Sequence, residues 1–166
     1  METKIREQIV ELIPRLRRFS YALTGNMHDA DDLTQSGIER ALGNLESWQE
    51  GTRLDSWLFR IINNLWIDQL RSRKSKGYAV DLEEAGELQG EDGRDVTESK
   101  LMLRQTRRAI LQLPEEQRNV VTLVLIDGLS YQQAADILDV PTGTIMSRLA
   151  RARKTLAEQL LPGGNS

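Results

Sequence analysis

The 166-residue chain contains no cysteine and only one histidine. Without cysteine it cannot form disulfides, use a thiolate nucleophile or build a cysteine-based zinc site, and a single imidazole offers little to a metal ion. The sequence contains no nucleophile and base pair, no phosphate-binding glycine loop and no metal-ligand spacing. An enzyme is therefore the class of function with the least support, and no cofactor or metal site is predicted.

Long apolar runs are absent as well. The sequence has no stretch of about 18 apolar residues and no charged-then-apolar leader after Met1. These absences predict a cytoplasmic protein without membrane insertion. A chain of 166 residues has room for one ordinary domain or for two small helical ones.

The charge of the chain is segregated along its length. Its formal net charge is −3, which is unusual for a protein that binds nucleic acid. Residues 1–76 carry 12 basic and 11 acidic side chains, residues 77–99 carry 1 and 8, and residues 100–166 carry 9 and 6. A like-charged stretch that contains glycine cannot build a packed core. The sequence therefore predicts two modules, residues 1–74 and 100–166, joined by a flexible acidic linker at about residues 75–99.

Apolar residues in the first module recur at helical spacing. One pattern runs from Ile5 to Leu23, and Pro14 inside it predicts a kink or a split into two helices. A second pattern covers residues 30–45, with carboxylates in its first turn, and a third begins at Leu54 and ends in a basic run. These patterns predict three main helical segments.

The second module also has only helical patterns. A helix near residues 101–112 should stop before Pro114, and the next helix is so apolar over residues 120–126 that it should be buried. Ser130 and Gln133 form a capping box, which predicts that another helix starts there. No strand pattern or internal repeat competes with these helices, so the predicted fold is all-α.

Residues 130–154 form two short helical patterns hinged at Asp139-Val140-Pro141, which is typical of a helix-turn-helix. On the second helix an apolar stripe through Ile145 and Leu149 must pack on the module. Helical geometry places four polar side chains opposite that stripe, and Arg148 and Arg153 on its flanks. The four are Thr144, Ser147, Arg151 and Lys154.

Hydroxyl and guanidinium groups of this kind suit a reader of the DNA major groove. The alternative is a solvated charged face on a terminal helix, which is common on protein surfaces. The capped helix and the proline-containing turn directly before the basic helix favour the DNA reader.

Two blocks of sequence together go beyond a generic helix-turn-helix. DADDLTQSGIERAL, residues 29–42, and SYQQAADILDVPTGTIMSRLARARKTL, residues 130–156, resemble the bacterial sigma-70 family in order, separation and content. The chain is most similar to the short extracytoplasmic function (ECF) form of that family, and the resemblance runs from about Ile9 to Leu156. It implies a factor that binds core RNA polymerase and directs promoter-specific transcription initiation.

The resemblance also assigns roles to individual residues. In the first module, three residues match the segment of the family that binds core polymerase: Asp32, Leu33 and Gln35. Four residues lie in or beside the part of the family that captures the melted −10 element: Arg60, Asn63, Asn64 and Arg71. In the second module, six residues match or adjoin positions that touch the duplex −35 element: Thr142, Thr144, Ser147, Arg148, Arg151 and Lys154.

The resemblance implies three partners, namely core RNA polymerase, promoter DNA and an anti-sigma factor that holds the protein inactive. Trp57 is predicted to be a core residue, whereas Trp66 stays open between core packing and base stacking. Met146 and Ala150 depart from residues frequent in the family and imply an altered promoter preference. The alternative function is a self-sufficient dimeric helix-turn-helix regulator, whose first module would serve dimerisation or ligand sensing.

Overall fold

A computed structural model describes residues 1–77 and 97–161. Within those ranges every regular element is helical, so the predicted all-α fold is confirmed. Residues 78–96, which make up most of the predicted acidic linker, lie outside the described residues. No helix in the described ranges is long and apolar enough to cross a membrane.

The first module consists of three long helices. They are α1 (Glu2–Thr24), α2 (Met27–Gly43) and α3 (Leu54–Ser75), and a short 3₁₀ turn, Leu45–Ser47, follows α2. Helix α1 ends because Gly25 adopts a left-handed conformation with φ 78°, which glycine reaches without steric cost. The three predicted helical segments of this module are therefore confirmed.

The prediction that Pro14 kinks or splits the first segment is wrong, because α1 runs continuously through it. Proline removes the hydrogen bond to the carbonyl of Val10, but both residues are exposed, so water can satisfy that carbonyl. Ile9 and Leu16 on either side are 2% and 0% exposed. Their burial on one shared core outweighs the local cost of the proline.

The core of the first module joins all three helices. Phe19 of α1 and Phe59 of α3 meet edge to face, with ring centroids 5.1 Å apart. A Cβ atom at Gly37 of α2 would lie only 2.6 Å from Cγ1 of Ile62, so the close approach of α2 and α3 requires glycine. The module is thus a close-packed three-helix unit that presents α2 and α3 at its surface.

The second module contains α4 (Glu98–Leu111), α5 (Glu115–Val120), α6 (Tyr131–Leu138) and α7 (Thr142–Leu160). Helix α5 continues as a π-helical segment, Val121–Ile126, in which the Asp127 N–H reaches back to the carbonyl of Thr122.

The predicted burial of this apolar segment holds only in part. Leu123 is fully buried, but Leu125 and Ile126 are 45% and 43% exposed. Asp127 directly after the segment turns towards α1, where it pairs with Arg15 and Arg18.

The helix-turn-helix is formed as predicted by α6 and α7. The Ser130 hydroxyl accepts a hydrogen bond from the Gln133 N–H, and the Gln133 side chain accepts one from the Ser130 N–H, which completes the capping box. Asp139 takes a left-handed conformation, φ 55°, and turns the chain into α7. The apolar stripe of α7 is buried at Ile145, Leu149 and Ala152.

The two modules pack against each other in this structure. Helix α1 contacts α5, and α3 contacts α6. Buried residues of both modules, among them Leu58 and Ile137, belong to one continuous apolar cluster. The helix-turn-helix therefore lies directly against the long third helix of the first module.

Candidate nucleic-acid and polymerase interface

The outward face of α7 carries the residues predicted to touch the −35 element. Ser147, Arg151 and Lys154 are exposed, and Thr144 is half-buried on the same helix. The Arg151 side chain donates to the carbonyl and the hydroxyl of Ser147 at 3.4 Å each, which is long for a hydrogen bond. DNA can displace bonds of this length, so Arg151 is available to a base edge or a phosphate.

Two other predicted −35 residues are engaged within their own module. The Arg148 Nε lies 4.0 Å from Glu116 Oε2, and the arginine side chain is only 20% exposed. The Thr142 hydroxyl donates to Gln132 at 3.3 Å at the start of α7. An ion pair with so exposed a glutamate contributes little, so Arg148 can exchange it for a phosphate.

The predicted polymerase-binding residues divide between the surface and the core. Asp32 and Gln35 are exposed and share one face of α2, where Gln35 donates to Glu39 at 3.2 Å. Leu33 is 1% exposed and lies in the core, so in this structure it is not available to a partner. His28 Nε2 lies 3.6 Å from Asp32 Oδ2.

Helix α3 carries the residues predicted to read the −10 element, and these residues differ in how exposed they are. Arg60, Asn64 and Arg71 are exposed, whereas Asn63 is 4% exposed. The Asn63 side-chain amide donates to the backbone carbonyl of Ile137 in α6 at 3.2 Å. One of the two adjacent asparagines is therefore covered by the helix-turn-helix.

Arg60 and Asn64 face a cleft of about 580 Å³ between the two modules. The opposite wall is built by α6 and by the turn that leads into α7, and it carries two carboxylates, Asp136 and Asp139. The −10 residues and the first helix of the DNA-binding motif thus line the same space.

Trp66, which the sequence left open between core packing and base stacking, is 6% exposed. Its indole N–H donates to Glu115 Oε1 of α5 at 2.7 Å, and the Arg73 guanidinium lies 5.8 Å from its ring centroid. Burial raises the pKa of Glu115, which the hydrogen bond from Trp66 opposes. Trp57, predicted as core, is partly buried and packs against the core cluster.

Sequence reasoning missed Arg118, a buried arginine that ties α5 to α1. Its guanidinium donates to the carbonyls of Ala22 and Leu23 at the end of α1, and to two carbonyls of its own module. A Cβ atom at residue 25 would lie 3.4 Å from Arg118 Nη2, so Gly25 leaves space for the guanidinium. The only signal in the sequence was a lone arginine beside a helix segment that is otherwise apolar.

Sequence reasoning also missed Asp127, whose carboxylate joins the modules. Its Oδ1 accepts hydrogen bonds from Arg15 at 3.0 Å and from Arg18 at 2.8 Å, although its side chain is only 1% exposed. Its Oδ2 is buried and has no hydrogen-bond partner among residues 1–77 and 97–161. Arg15 also bonds Asp55 at 3.0 Å, which extends the network into α3.

Asp55 is the second carboxylate of this network. Burial raises the pKa of Asp55, but hydrogen bonds from Arg53, from Arg15 and from the Ser56 N–H outweigh that effect and lower it to about 2. The carboxylate therefore stays ionised and holds Arg15 in place beside Asp127.

Comparisons with known proteins match the two modules separately. The family described as Sigma-70 region 2 matches residues 9–76, and the family described as Sigma-70, region 4 matches residues 103–156. The first range contains α2 and α3, and the second contains the helix-turn-helix.

Individual relatives match almost the whole chain. The ECF RNA polymerase sigma factor EcfG of Rhodopseudomonas palustris (strain TIE-1) is 38% identical over 96% of this chain and 87% of its own. The ECF sigma factor SigW of Bacillus subtilis (strain 168) is 33% identical over 88% of this chain and 83% of its own.

A solved structure extends the likeness to three dimensions. The structure of the sigma factor RpoE in complex with the anti-sigma factor NepR from Bartonella quintana is similar with a TM-score of 0.76. It is 28% identical and covers 95% of this chain and 96% of that one. The chain therefore belongs to the extracytoplasmic function group of the sigma-70 family.

Proposed function

We propose that this ECF sigma factor divides its work between two helical modules, each of which contacts a different promoter element. The protein directs promoter-specific transcription initiation through core RNA polymerase, as its family does. Residues 1–74 bind polymerase and read and melt the −10 element, residues 100–166 read the duplex −35 element, and residues 75–99 join them. The observation that carries this assignment is the exposed polar and basic face of α7, directly opposite its buried stripe.

The polymerase contact is assigned to the exposed side of α2. Asp32 and Gln35 supply hydrogen-bonding groups there, and Leu33 holds the helix in the core so that both face outwards. At the −10 element, the exposed Asn64 supplies the amide for a flipped base, Asn63 lies beside it on α3, and Arg60 and Arg71 contact the backbone. The −35 contact comes from the α7 residues: Thr142, Thr144, Ser147, Arg148, Arg151 and Lys154.

The protein has no active site of its own in this proposal. Binding energy drives strand separation, and the polymerase performs nucleotide transfer in the cytoplasm. An anti-sigma factor is a further partner, because the similar RpoE structure is a complex with the anti-sigma factor NepR. Because each module contacts only one promoter element, bare DNA binding is weak, and polymerase raises the effective concentration of the second contact.

Runoff transcription with the native core polymerase on genomic DNA tests the proposal. Wild-type protein should direct new transcripts, and Arg151→Ala should reduce them by about tenfold because a good base contact is worth ~1 to 3 kcal/mol. Lys100→Ala, an exposed basic residue of α4, is the matched control and should retain activity. The absence of any new transcript from wild-type protein would contradict the proposed function.

A second pair of variants tests the α2 contact. Gln35→Ala should weaken binding to core polymerase in a pull-down, whereas Gln112→Ala, an exposed glutamine elsewhere, should not. If the protein were instead a self-sufficient dimeric regulator, it would form a stable dimer in size-exclusion chromatography. It would also bind promoter duplex tightly and specifically without polymerase.

A further inference from the structure

Met146 is an exposed apolar residue on the helix that is proposed to contact the −35 element. It is 54% exposed, whereas Ile145 and Leu149 on the same helix are 0% and 2% exposed. Met146 also lies outside the buried apolar cluster of the described residues and is not among the residues that pack against it. The methionine therefore contributes little to the core, and its side chain is available to a partner.

The position of Met146 on α7 places it among the proposed DNA contacts. It is the fifth residue of the helix and lies one turn after Thr142. The N-terminal part of the second helix of a helix-turn-helix contacts base edges in the major groove. Thr142 is bonded to Gln132 of α6, so Met146 lies on the side of α7 that is nearer to α6. Met146 therefore borders the proposed reading face on one side, and Arg148, which pairs with α5, borders it on the other.

The neighbours of Met146 on the outer side of α7 are small. Gly143 and Ala150, one turn before and one turn after it, are both exposed. A Cβ atom at Gly143 would point into open space. The other large exposed apolar residue of α7 is Leu160, which lies 14 residues or about 21 Å farther along the helix. Met146 is thus the one large apolar side chain exposed on the first half of α7.

The chemistry of methionine limits what Met146 can recognise on DNA. Its thioether carries no charge and is only a weak hydrogen-bond acceptor. It can therefore neither bond a guanine edge as arginine does nor pair with a phosphate. The apolar group that DNA displays in the major groove is the C5-methyl of thymine. The methionine side chain is flexible and polarisable, so it can adapt its shape to that group.

We propose that Met146 is a specificity-determining residue of the −35 contact and that it recognises the C5-methyl group of a thymine. The methyl group and the methionine side chain exclude water from each other when α7 lies in the major groove. Burial of one methyl group is worth about fourfold in a binding constant. This inference rests on the proposed function, because it concerns the promoter element that α7 contacts.

Deoxyuridine tests the contact, because it differs from thymidine only by the missing methyl group. A promoter recovered by runoff transcription is randomised across its −35 element, and holoenzyme with the native core polymerase selects the preferred sequences. Each thymine of the selected element is then replaced in turn by deoxyuridine, and holoenzyme binding is measured by competition. The wild-type holoenzyme should bind about fourfold more weakly when one particular thymine loses its methyl group.

Variants of Met146 show whether this residue is the one that senses the methyl group. Met146→Ala should bind the thymine and deoxyuridine duplexes equally, because the partner of the methyl group is gone. The residue is exposed, so the variant should fold with an unchanged urea midpoint. Leu160→Ala is the matched control, because it truncates the other large exposed apolar side chain of α7 and should keep the fourfold difference. Met146→Leu, with an apolar side chain of similar volume, should keep most of that difference.

Met146→Lys separates recognition of the methyl group from attraction to the DNA backbone. Lysine adds a phosphate contact, so binding to promoter and non-promoter duplex should strengthen by a similar factor and become more sensitive to salt. The difference between thymine and deoxyuridine should be lost at the same time. If Met146 acted only by positioning α7, its replacement would change the effects of all −35 bases rather than that of one thymine.

Three results would overturn this role of Met146: a selected −35 element without thymine, equal binding of the thymine and deoxyuridine duplexes by wild-type holoenzyme, or a full methyl effect in Met146→Ala. Each of them leaves the proposed function intact, because the holoenzyme still selects and binds a promoter. A wild-type holoenzyme that recovers no promoter would instead contradict the proposed function, and the inference would fall with it.

Discussion

Helices α3 and α7 both carry residues proposed to contact DNA, arginines with short amides or hydroxyls, yet the structure exposes the two sets to different extents. The reading face of α7 is open, with Ser147, Arg151 and Lys154 exposed. The reading face of α3 is partly covered, with Asn63 bonded to the other module. Residue type and helical periodicity therefore predict which face of a helix reads DNA, whereas packing between modules decides whether that face is accessible.

The largest expected effect concerns the buried side of α7. Leu149 is 2% exposed, so Leu149→Ala should lower the free energy of unfolding by about 2 to 5 kcal/mol through lost burial and a cavity. Urea denaturation measures this free energy of unfolding. Ser147→Ala on the open face should change it by less than about 0.5 kcal/mol. If both variants lost the same free energy of unfolding, the distinction between the buried stripe and the exposed face of α7 would be wrong.

The stability that Asp55 contributes through its ion pairs with Arg15 and Arg53 should depend on pH. The pKa of Asp55 is about 2, below its ordinary value of 3.8, so its stabilising contribution is present above pH 3.8 and is lost as pH falls towards 2. The contribution is about 2 kcal/mol, and Asp55→Asn should abolish that part of the pH dependence. Unfolding measured across this pH range is the test, and an unchanged slope in the variant would contradict it.

The neighbouring asparagines of α3 should differ in their effect on stability. Asn63→Ala removes a buried hydrogen bond to Ile137 and should cost about 1 kcal/mol, whereas the exposed Asn64→Ala should cost less than about 0.5 kcal/mol. Both should impair −10 recognition in transcription assays. Equal stability losses would show that Asn63 is not held by the second module in solution.

The smallest effect is expected at the rim of the open face. Glu116→Gln removes the exposed carboxylate 4.0 Å from Arg148, so protein stability should change by less than about 0.5 kcal/mol. Release of Arg148 should strengthen binding to a −35 duplex by about twofold, measured by fluorescence anisotropy in the polymerase complex. Glu98→Gln, on the exposed start of α4, is the control. Weaker binding by Glu116→Gln would mean that this pair positions Arg148 for DNA.

Local structure was largely predictable because its causes are local. The capping box at Ser130, the glycine that ends α1 and the apolar stripe of α7 each depend on residues within about a turn or two of one another. Pro14 was the exception, because burial on both sides of it outweighed its local preference. The partial exposure of the apolar segment after α5 had the same kind of cause, since neighbouring elements decide which side of it is covered.

The residues alone predicted an all-α chain, a capped helix-turn-helix and a basic face on its second helix, and two sequence blocks carried the resemblance to the ECF sigma group. The helices and the turn follow from periodicity and turn chemistry, which act over short separations. The burial of Leu33 and Trp66 and the hydrogen bond from Asn63 to Ile137 emerged from the packing of the helices. The contacts of Arg118 and Asp127 between the modules emerged in the same way. The asparagine and its partner lie 74 residues apart, and contacts over such separations depend on how whole helices pack, which no local pattern encodes.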